Sequence, residues 1–292
     1  MKKTNTWHPR YVAPVIALSA TTAFAHQPVM DMAPRWQDGY GAQVRYTTRD
    51  AEKLRDGKDH AQNLLGRSKR VEQIWLEGVY TFHRALRVTA KLPYVDQYRE
   101  VEAGRTLRRE HGEGWGDGIV AVPLKKYWNR GASTANLGFT PQIRVPTGST
   151  RDDYAIGDGS WDAGFGVSFS TETPKAYMLT ELFYWFEGAG KRGIERGNLA
   201  GLDVNLGLHP VHSNKSNSGL FVMLDISARN EERGRDQAGV TGGATITIGP
   251  VVVIYRQNLM WRGEVHIPVY EDVEEIQFER GILYQAGIGM TF

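Results

Sequence analysis

From Ile282 to Phe292 the chain alternates without a break: Ile282, Tyr284, Ala286, Ile288, Met290 and Phe292 fall on one face, and Leu283, Gln285, Gly287, Gly289 and Thr291 on the other. A repeat of two is the mark of an extended strand whose faces meet different environments, and it is incompatible with a helix repeat of 3.6. The pattern recurs upstream. Trp261, Gly263, Val265, Ile267 and Val269 oppose Arg262, Glu264, His266 and Pro268, and Leu137, Phe139, Pro141, Ile143 and Val145 oppose Gly138, Thr140, Gln142 and Arg144. Trp161, Ala163, Phe165, Val167 and Phe169 oppose Asp162, Gly164, Gly166 and Ser168. Leu202, Val204, Leu206 and Leu208 oppose Asp203 and Asn205, while Leu220, Val222, Leu224 and Ile226 oppose Asp225 and Ser227. Charges gathered on one face of strand after strand require an apolar exterior and a wet interior, the arrangement of a transmembrane β-barrel.

Weaker segments complete the count. Strands are expected near residues 40–48, 70–82, 85–97, 115–127, 134–146, 160–171, 175–187, 197–208, 219–230, 240–254, 259–270 and 281–292. The fold expected is therefore all-β, an antiparallel up-and-down transmembrane barrel of twelve strands over residues 38–292. An even count places both ends on one side, so short and long connections should alternate. Those at His83 and Arg84, 129–133, 172–174 and 255–258 are short, and 49–69 and 98–114 are long and charged. The segment 209–218 is too long for its place in that order. With 33 Gly, 8 Trp, 13 Tyr and 10 Phe the composition supplies tight turns and interfacial aromatics.

The first 25 residues read as a signal peptide: Lys2, Lys3 and Arg10 precede a mostly apolar stretch that ends in Ala23-Phe24-Ala25, with cleavage expected before His26. Residues 26–37, with two prolines and no alternation, are expected to form a periplasmic lead-in, and no second domain or repeat is visible. No later run is apolar enough to span a bilayer as a helix, and the mean hydropathy is −0.43. The chain has no cysteine, so its stability does not draw on disulfides. A formal charge of +2 argues against a nucleic-acid partner.

Alternation turns twelve charged residues toward the interior: Arg45, Glu77, Arg87, Lys91, Lys125, Arg144, Asp162, Glu181, Asp203, Asp225, Arg262 and Glu264. In a lumen such groups pair or stay hydrated, because an unpaired desolvated charge is costly. They form either a bracing network that partly plugs the barrel or opposed acidic and basic ladders at a solute-selecting constriction, and the two readings are compatible. Twelve strands leave a narrow path at most. Asp152, Asp153, Asp158 and Asp162 offer oxygens that calcium would accept, but lack EF-hand spacing and suit a turn equally well. No metal or cofactor is therefore expected. Arg105, Arg108, Arg109, Lys53, Arg55, Lys58 and Arg67 on the long loops either contact lipopolysaccharide phosphates or form a solvated surface. His60, His83, His111 and His266 sit beside no evident serine nucleophile and orienting acid, so an enzyme is not expected.

The chain resembles the outer-membrane family named after the meta-cleavage pathway of phenol degradation. The resemblance rests on Gly116-Asp117-Gly118 followed by Lys125-Lys126-Tyr127, on Arg144-Val145-Pro146-Thr147-Gly148, on Gly157-Asp158-Gly159-Ser160-Trp161-Asp162, and on Ile267-Pro268-Val269-Tyr270. It implies an outer-membrane location and uptake of aromatic or other small hydrophobic compounds, with a plugged structural or lipid-binding barrel as the alternative and a hydrolase as a remoter one. The final strand similarly resembles the C-terminal signal of outer-membrane barrels, in which Tyr284, Ile288, Met290 and Phe292 would meet the barrel-assembly machinery. Outer-membrane lipid, lipopolysaccharide and a small-molecule solute are the other partners expected.

Overall fold

The computed structural model describes residues 37–213, 215–236 and 239–292; the signal peptide and nearly all of the lead-in lie outside them. Every element is a strand: β1 (Gly39–Ala51), β2 (Leu54–Gly57), β3 (Asp59–Ala61), β4 (Lys69–His83), β5 (Leu86–Ala103), β6 (Thr106–Trp115), β7 (Gly118–Ala121) and β8 (Leu124–Arg130). They continue as β9 (Ser133–Val145), β10 (Asp162–Glu172), β11 (Ala176–Phe186), β12 (Leu199–Ser213), β13 (Ser218–Asp236), β14 (Gly239–Arg256), β15 (Leu259–Phe278) and β16 (Leu283–Thr291). All pairings are antiparallel. β6, β7 and β8 occupy one place in the wall between β5 and β9, and β2 and β3 form a hairpin beyond β15. Twelve wall positions remain, and β1 closes the ring by pairing with both β4 and β16. The closure reaches the last residue, since the Tyr40 and Phe292 backbones exchange both N–H to O bonds, at 3.1 and 2.8 Å. No edge is left open to lipid.

The seam shows how the sequence sets the register. Val44 pairs with Ile288 on one side and Leu76 on the other, and all three side chains are exposed on the outside. Arg45 pairs with Gly287 and Trp75 and turns inward, where it meets Glu77 and Gln285. A slip of one residue would exchange these sets, moving charge into lipid and isoleucine into the lumen. The outer face is apolar all round, including Leu137, Phe139, Phe165, Val167, Leu182, Leu206, Val252, Ile254 and Trp261, each exposed.

The tight turns follow local chemistry. Gly104 and Gly131 take φ of 69° and 57° at the first of two turn residues, joining Ala103 to Thr106 and Arg130 to Ser133. Positive φ costs glycine nothing there. The first of these turns changes the expected picture of a long loop at 98–114. That segment is strand throughout except for the two turn residues Gly104 and Arg105, because β5 and β6 run on together past the wall, with Gln97 opposite Gly112 and Arg99 opposite Glu110. Likewise the 209–218 connection is short in space: β12 continues to Ser213, with a bulge between Leu208 and Val211 that puts both of those residues outside.

The interior is not polar throughout. Near the rim that carries Gly39 and Phe292, here the near rim, Phe221, Met223, Val251, Val253, Tyr255 and Met260 form a buried inward cluster. These residues alternate with the lipid-facing Val222, Val252, Ile254 and Trp261, so those stretches are apolar on both faces. His209 stacks on Phe221 at 4.0 Å between centroids, and its Nε2 lies 3.0 Å from the Tyr255 hydroxyl.

Candidate functional site

A cavity of about 690 Å³ occupies the middle of the barrel. Ten of the twelve interior charges border it: Arg45, Glu77, Arg87, Lys91, Lys125, Glu181, Asp203, Asp225, Arg262 and Glu264. They are sorted by wall. Arg87 and Lys91 on β5 with Lys125 on β8 make one side basic, and Glu181, Asp203 and Asp225 on β11, β12 and β13 make the other acidic. Strand alternation puts each charge inside, and strand order puts like charges side by side.

Local pairs moderate this field. Arg45 bonds Glu77 at 2.5 Å, Arg262 bonds Glu264 at 2.5 Å, and Asp203 is held by Arg229 at 2.8 Å. His266 lies between Asp225 at 3.3 Å and Glu264 at 3.5 Å. Lys91 and Glu181 border the cavity and have no ion pair within 4 Å among the described residues. No serine hydroxyl among the described residues bonds His266, and its two carboxylate neighbours orient no nucleophile.

Arg144 and Asp162, the other two candidates, lie higher, toward the far rim. Arg144 Nη1 reaches Asp162 at 2.8 Å and Glu187 at 2.7 Å, with its guanidinium 4.6 Å from the centroid of Trp185. Ser160 Oγ donates to one aspartate of the Asp158–Asp162 pair while lying within hydrogen-bond distance of both, at 2.7 and 2.6 Å, and Arg196 reaches Asp158 at 3.2 Å. Oxygens of Asp158, Asp162 and Glu187 approach within 4.8 Å of one another, as a metal would require. Two guanidiniums, however, already supply the positive charge that a cation would bring. Asp152 and Asp153 are not part of this group.

Burial pushes the Glu187 carboxyl up to about 7, against the pull of the Arg144 guanidinium and with the help of the Asp162 charge. Its folded value is above its unfolded one. The stability it contributes is therefore fully present below about pH 4.5 and is lost as pH rises through about 7. Between pH 5 and pH 8 the wild type should lose thermal stability relative to Glu187→Gln. Unfolding followed by circular dichroism tests this, and a difference that stays constant with pH would contradict it.

A second interior group had no sequence signature beyond its charges. Arg99 on β5 bonds Glu110 at 2.9 Å and Asp236, at the end of β13, at 2.7 Å, and it stacks on Tyr154 at 4.3 Å. Going round the ring, five wall positions separate β5 from β13 in either direction. The bridge therefore joins the overrunning ends of strands from opposite sides of the ring at the far rim. The loop 146–161 folds in beneath it, where Gln97 Nε2 donates to the Ala155 carbonyl at 2.9 Å. Most of the basic loop residues are also paired: Arg55 with Glu271, Lys58 with Asp272, Arg67 with Glu102, Arg108 with Glu110 and Arg109 with Glu100.

Residues 53–262 match the model of a protein family described as "Putative MetA-pathway of phenol degradation". The chain belongs to this family. Three of the motifs that carry the family resemblance, those around Asp117, Thr147 and Gly157, are separate in sequence and meet at one point of the fold. Asp117 Oδ1 accepts from the Gly148 backbone N–H at 2.8 Å, and Thr147 Oγ1 donates to the Gly116 carbonyl at 2.7 Å while accepting from the Gly118 N–H at 2.9 Å. A Cβ on Gly157 would come within 2.7 Å of Asp117 Oδ1 and 3.0 Å of the Gly148 Cα, so glycine is required by contact there. These three motifs thus form the knot that fastens the inward loop to the break between β6 and β7.

Among solved structures, the COG4313 outer membrane channel from Pseudomonas putida F1 is similar with a TM-score of 0.68 at 12% identity, over 93% of this chain and 99% of that one. At that identity the likeness concerns the fold, an outer-membrane type of barrel. The translocator domain of the autotransporter NalP from Neisseria meningitidis matches at TM-score 0.42 and 9% identity, over 86% of this chain and 88% of that one. The β domain of the Bordetella autotransporter BrkA matches at 0.41 and 12%, over 87% and 100%. A search of curated proteins finds no match.

Proposed function

We propose that the protein is a passive outer-membrane channel that takes up small compounds through a transverse field in its lumen. The observation that carries this reading is the cavity of about 690 Å³ with basic groups on β5 and β8 facing acidic groups on β11, β12 and β13. Opposed ladders orient dipolar solutes and exclude bulky apolar ones unless they carry a polar group. The likeness to a structure titled an outer membrane channel supports the assignment. In this reading the near rim faces the periplasm, and the rim loops meet lipopolysaccharide. The family description agrees with small aromatic compounds as solutes.

Two features favour the competing reading of a plugged structural barrel: the Arg99–Asp236 bridge across one rim and the apolar cluster near the other. Current through single molecules in planar bilayers separates the two. Small, stable current steps from the purified protein are expected, and persistent electrical silence under all applied voltages would sink the channel reading.

A further inference from the structure

The two cavities of the lumen meet at a neck, lined by two arginines that have no carboxylate within 4 Å among the described residues. Arg49 on β1, Thr245 on β14, Leu283 on β16 and Arg280 in the preceding loop border both the central cavity and a second one of about 490 Å³ toward the far rim. Neither guanidinium has a hydrogen bond or an ion pair within 4 Å among the described residues, and the Arg49 Nε is buried without a partner.

The nearby acids Glu271 and Glu231 attract these guanidiniums from beyond 4 Å without pairing with them. Glu271 is committed to Arg55 at 3.0 Å and to the Arg280 backbone N–H at 2.6 Å. Glu231 borders the upper cavity but makes no ion pair with Arg280. Burial holds the Arg280 guanidinium below its usual value, with Glu231 the largest influence in the other direction and Arg229 adding repulsion. Two half-buried like charges that share a neck destabilise each other, and an anion between them would relieve that repulsion.

We propose that Arg49 and Arg280 form a binding site for an organic carboxylate at the neck. The planar guanidinium fork matches a carboxylate in two-point contact. The lining above is mixed, and its apolar part is open to the rest of the ligand: Leu283 is at the neck itself, and Phe278 and Leu199 line the upper cavity beside Lys69, Glu231 and Gln277. A small monoanion with an apolar body satisfies both halves, whereas a hydrated inorganic anion leaves the apolar half unused. This assignment deepens the channel reading and rests on it for passage, but the site binds whether or not ligand passes through.

The test uses the purified full chain in detergent micelles with 4-fluorobenzoate and 4-fluorobenzamide as probes, followed by fluorine NMR. The benzoate should bind saturably and the neutral amide at least about tenfold more weakly. The double variant Arg49→Gln/Arg280→Gln should lose at least about tenfold in benzoate affinity, with the amide unchanged. Arg280→Gln alone, in a loop outside the strands, should lose part of that affinity and serves if the double variant folds poorly. Arg233→Gln at the rim should change nothing. Equal binding of the two probes, unchanged affinity in both neck variants, or displacement by chloride or inorganic phosphate as readily as by unlabelled benzoate would overturn the site. Benzoate binding by a protein that stays silent in bilayers would overturn passage and leave the site standing. Steady currents without benzoate binding would do the reverse.

Discussion

Asp236→Ala should increase the current step several-fold, because it removes the far-rim anchor of an ion pair that joins strands from opposite sides of the ring. Arg99 Nη1 lies 2.7 Å from Asp236, and only the arginine end is deeply buried, with side-chain exposures of 4% and 34%. A charge-assisted bond of this kind contributes about 1.5 to 3 kcal/mol when well shielded, and the exposure of Asp236 places it at or below the low end. That is small beside the stability of a closed twelve-strand sheet but large for a gate, since 1.4 kcal/mol is about a tenfold change in a two-state population. Asp236→Ala leaves Arg99 bonded to Glu110 and stacked on Tyr154, so the fold is not disturbed by an orphaned cation. Arg99→Ala should open the rim too, but at a cost in stability, because it strips Glu110 of its buried partner and leaves the more exposed Arg108. An unchanged step in both variants would show that the obstruction lies elsewhere, and the apolar cluster around Phe221 and Val251 would be the next place to cut.

Why the barrel was legible in the sequence and its far-rim bridge was not has a physical explanation. A lipid-spanning strand meets two solvents, so its alternation is written in every residue, and the twelve wall positions follow from it. The faces assigned to Arg45, Glu181, Asp203 and Glu264 needed only parity, and the structure turns all four into the cavity. Parity says nothing about height or reach. Arg99 and Asp236 are 137 residues apart, and they meet because β5 and β13 both overrun the wall and lie opposite each other around the ring. The β5–β6 extension, rich in charge and with its own Glu, Arg and Gly, reads as a loop because outside the bilayer neither face needs to be apolar. Arg49 and Arg280 were hidden for a different reason: one falls at the end of a strand and the other in a turn, where a charged residue is unremarkable until its neighbours prove to have other partners. The cluster of Phe221, Met223, Val251 and Val253 breaks the alternation rule by being apolar inside as well as outside, which marks an apolar section of the interior. By contrast Gly116-Asp117-Gly118 and Pro146-Thr147-Gly148 were conspicuous as motifs, and only their contact explains them.

The final strand offers the most severe test of the lipid-facing register, since it forms the seam. Ile288 is 45% exposed on the outer face, between Val44 and Trp261, and its neighbour Gly287 pairs with Arg45 and Arg262 on the lumen face. Ile288→Arg should cost about 2 to 4 kcal/mol if the residue sits near the bilayer midplane, and less toward either interface. Gly287→Ser should cost much less: a Cβ there meets the Val44 carbonyl at 3.4 Å and the Arg45 Cβ at 3.6 Å, ordinary contacts beside polar groups. Size and charge differ between these two changes, so thiol labelling provides the cleaner comparison in a chain without cysteine. Ile288→Cys should react with a lipid-confined maleimide and not with a charged water-soluble one, because the seam leaves no aqueous path to the outer face. Gly287→Cys should be inert to the lipid-confined reagent and react slowly with a small charged one that reaches the lumen. If Ile288→Arg folds and inserts like the wild type, or if the two labelling patterns are exchanged, the β1–β16 pairing is shifted by one residue and the lumen charges of the seam strands face lipid instead.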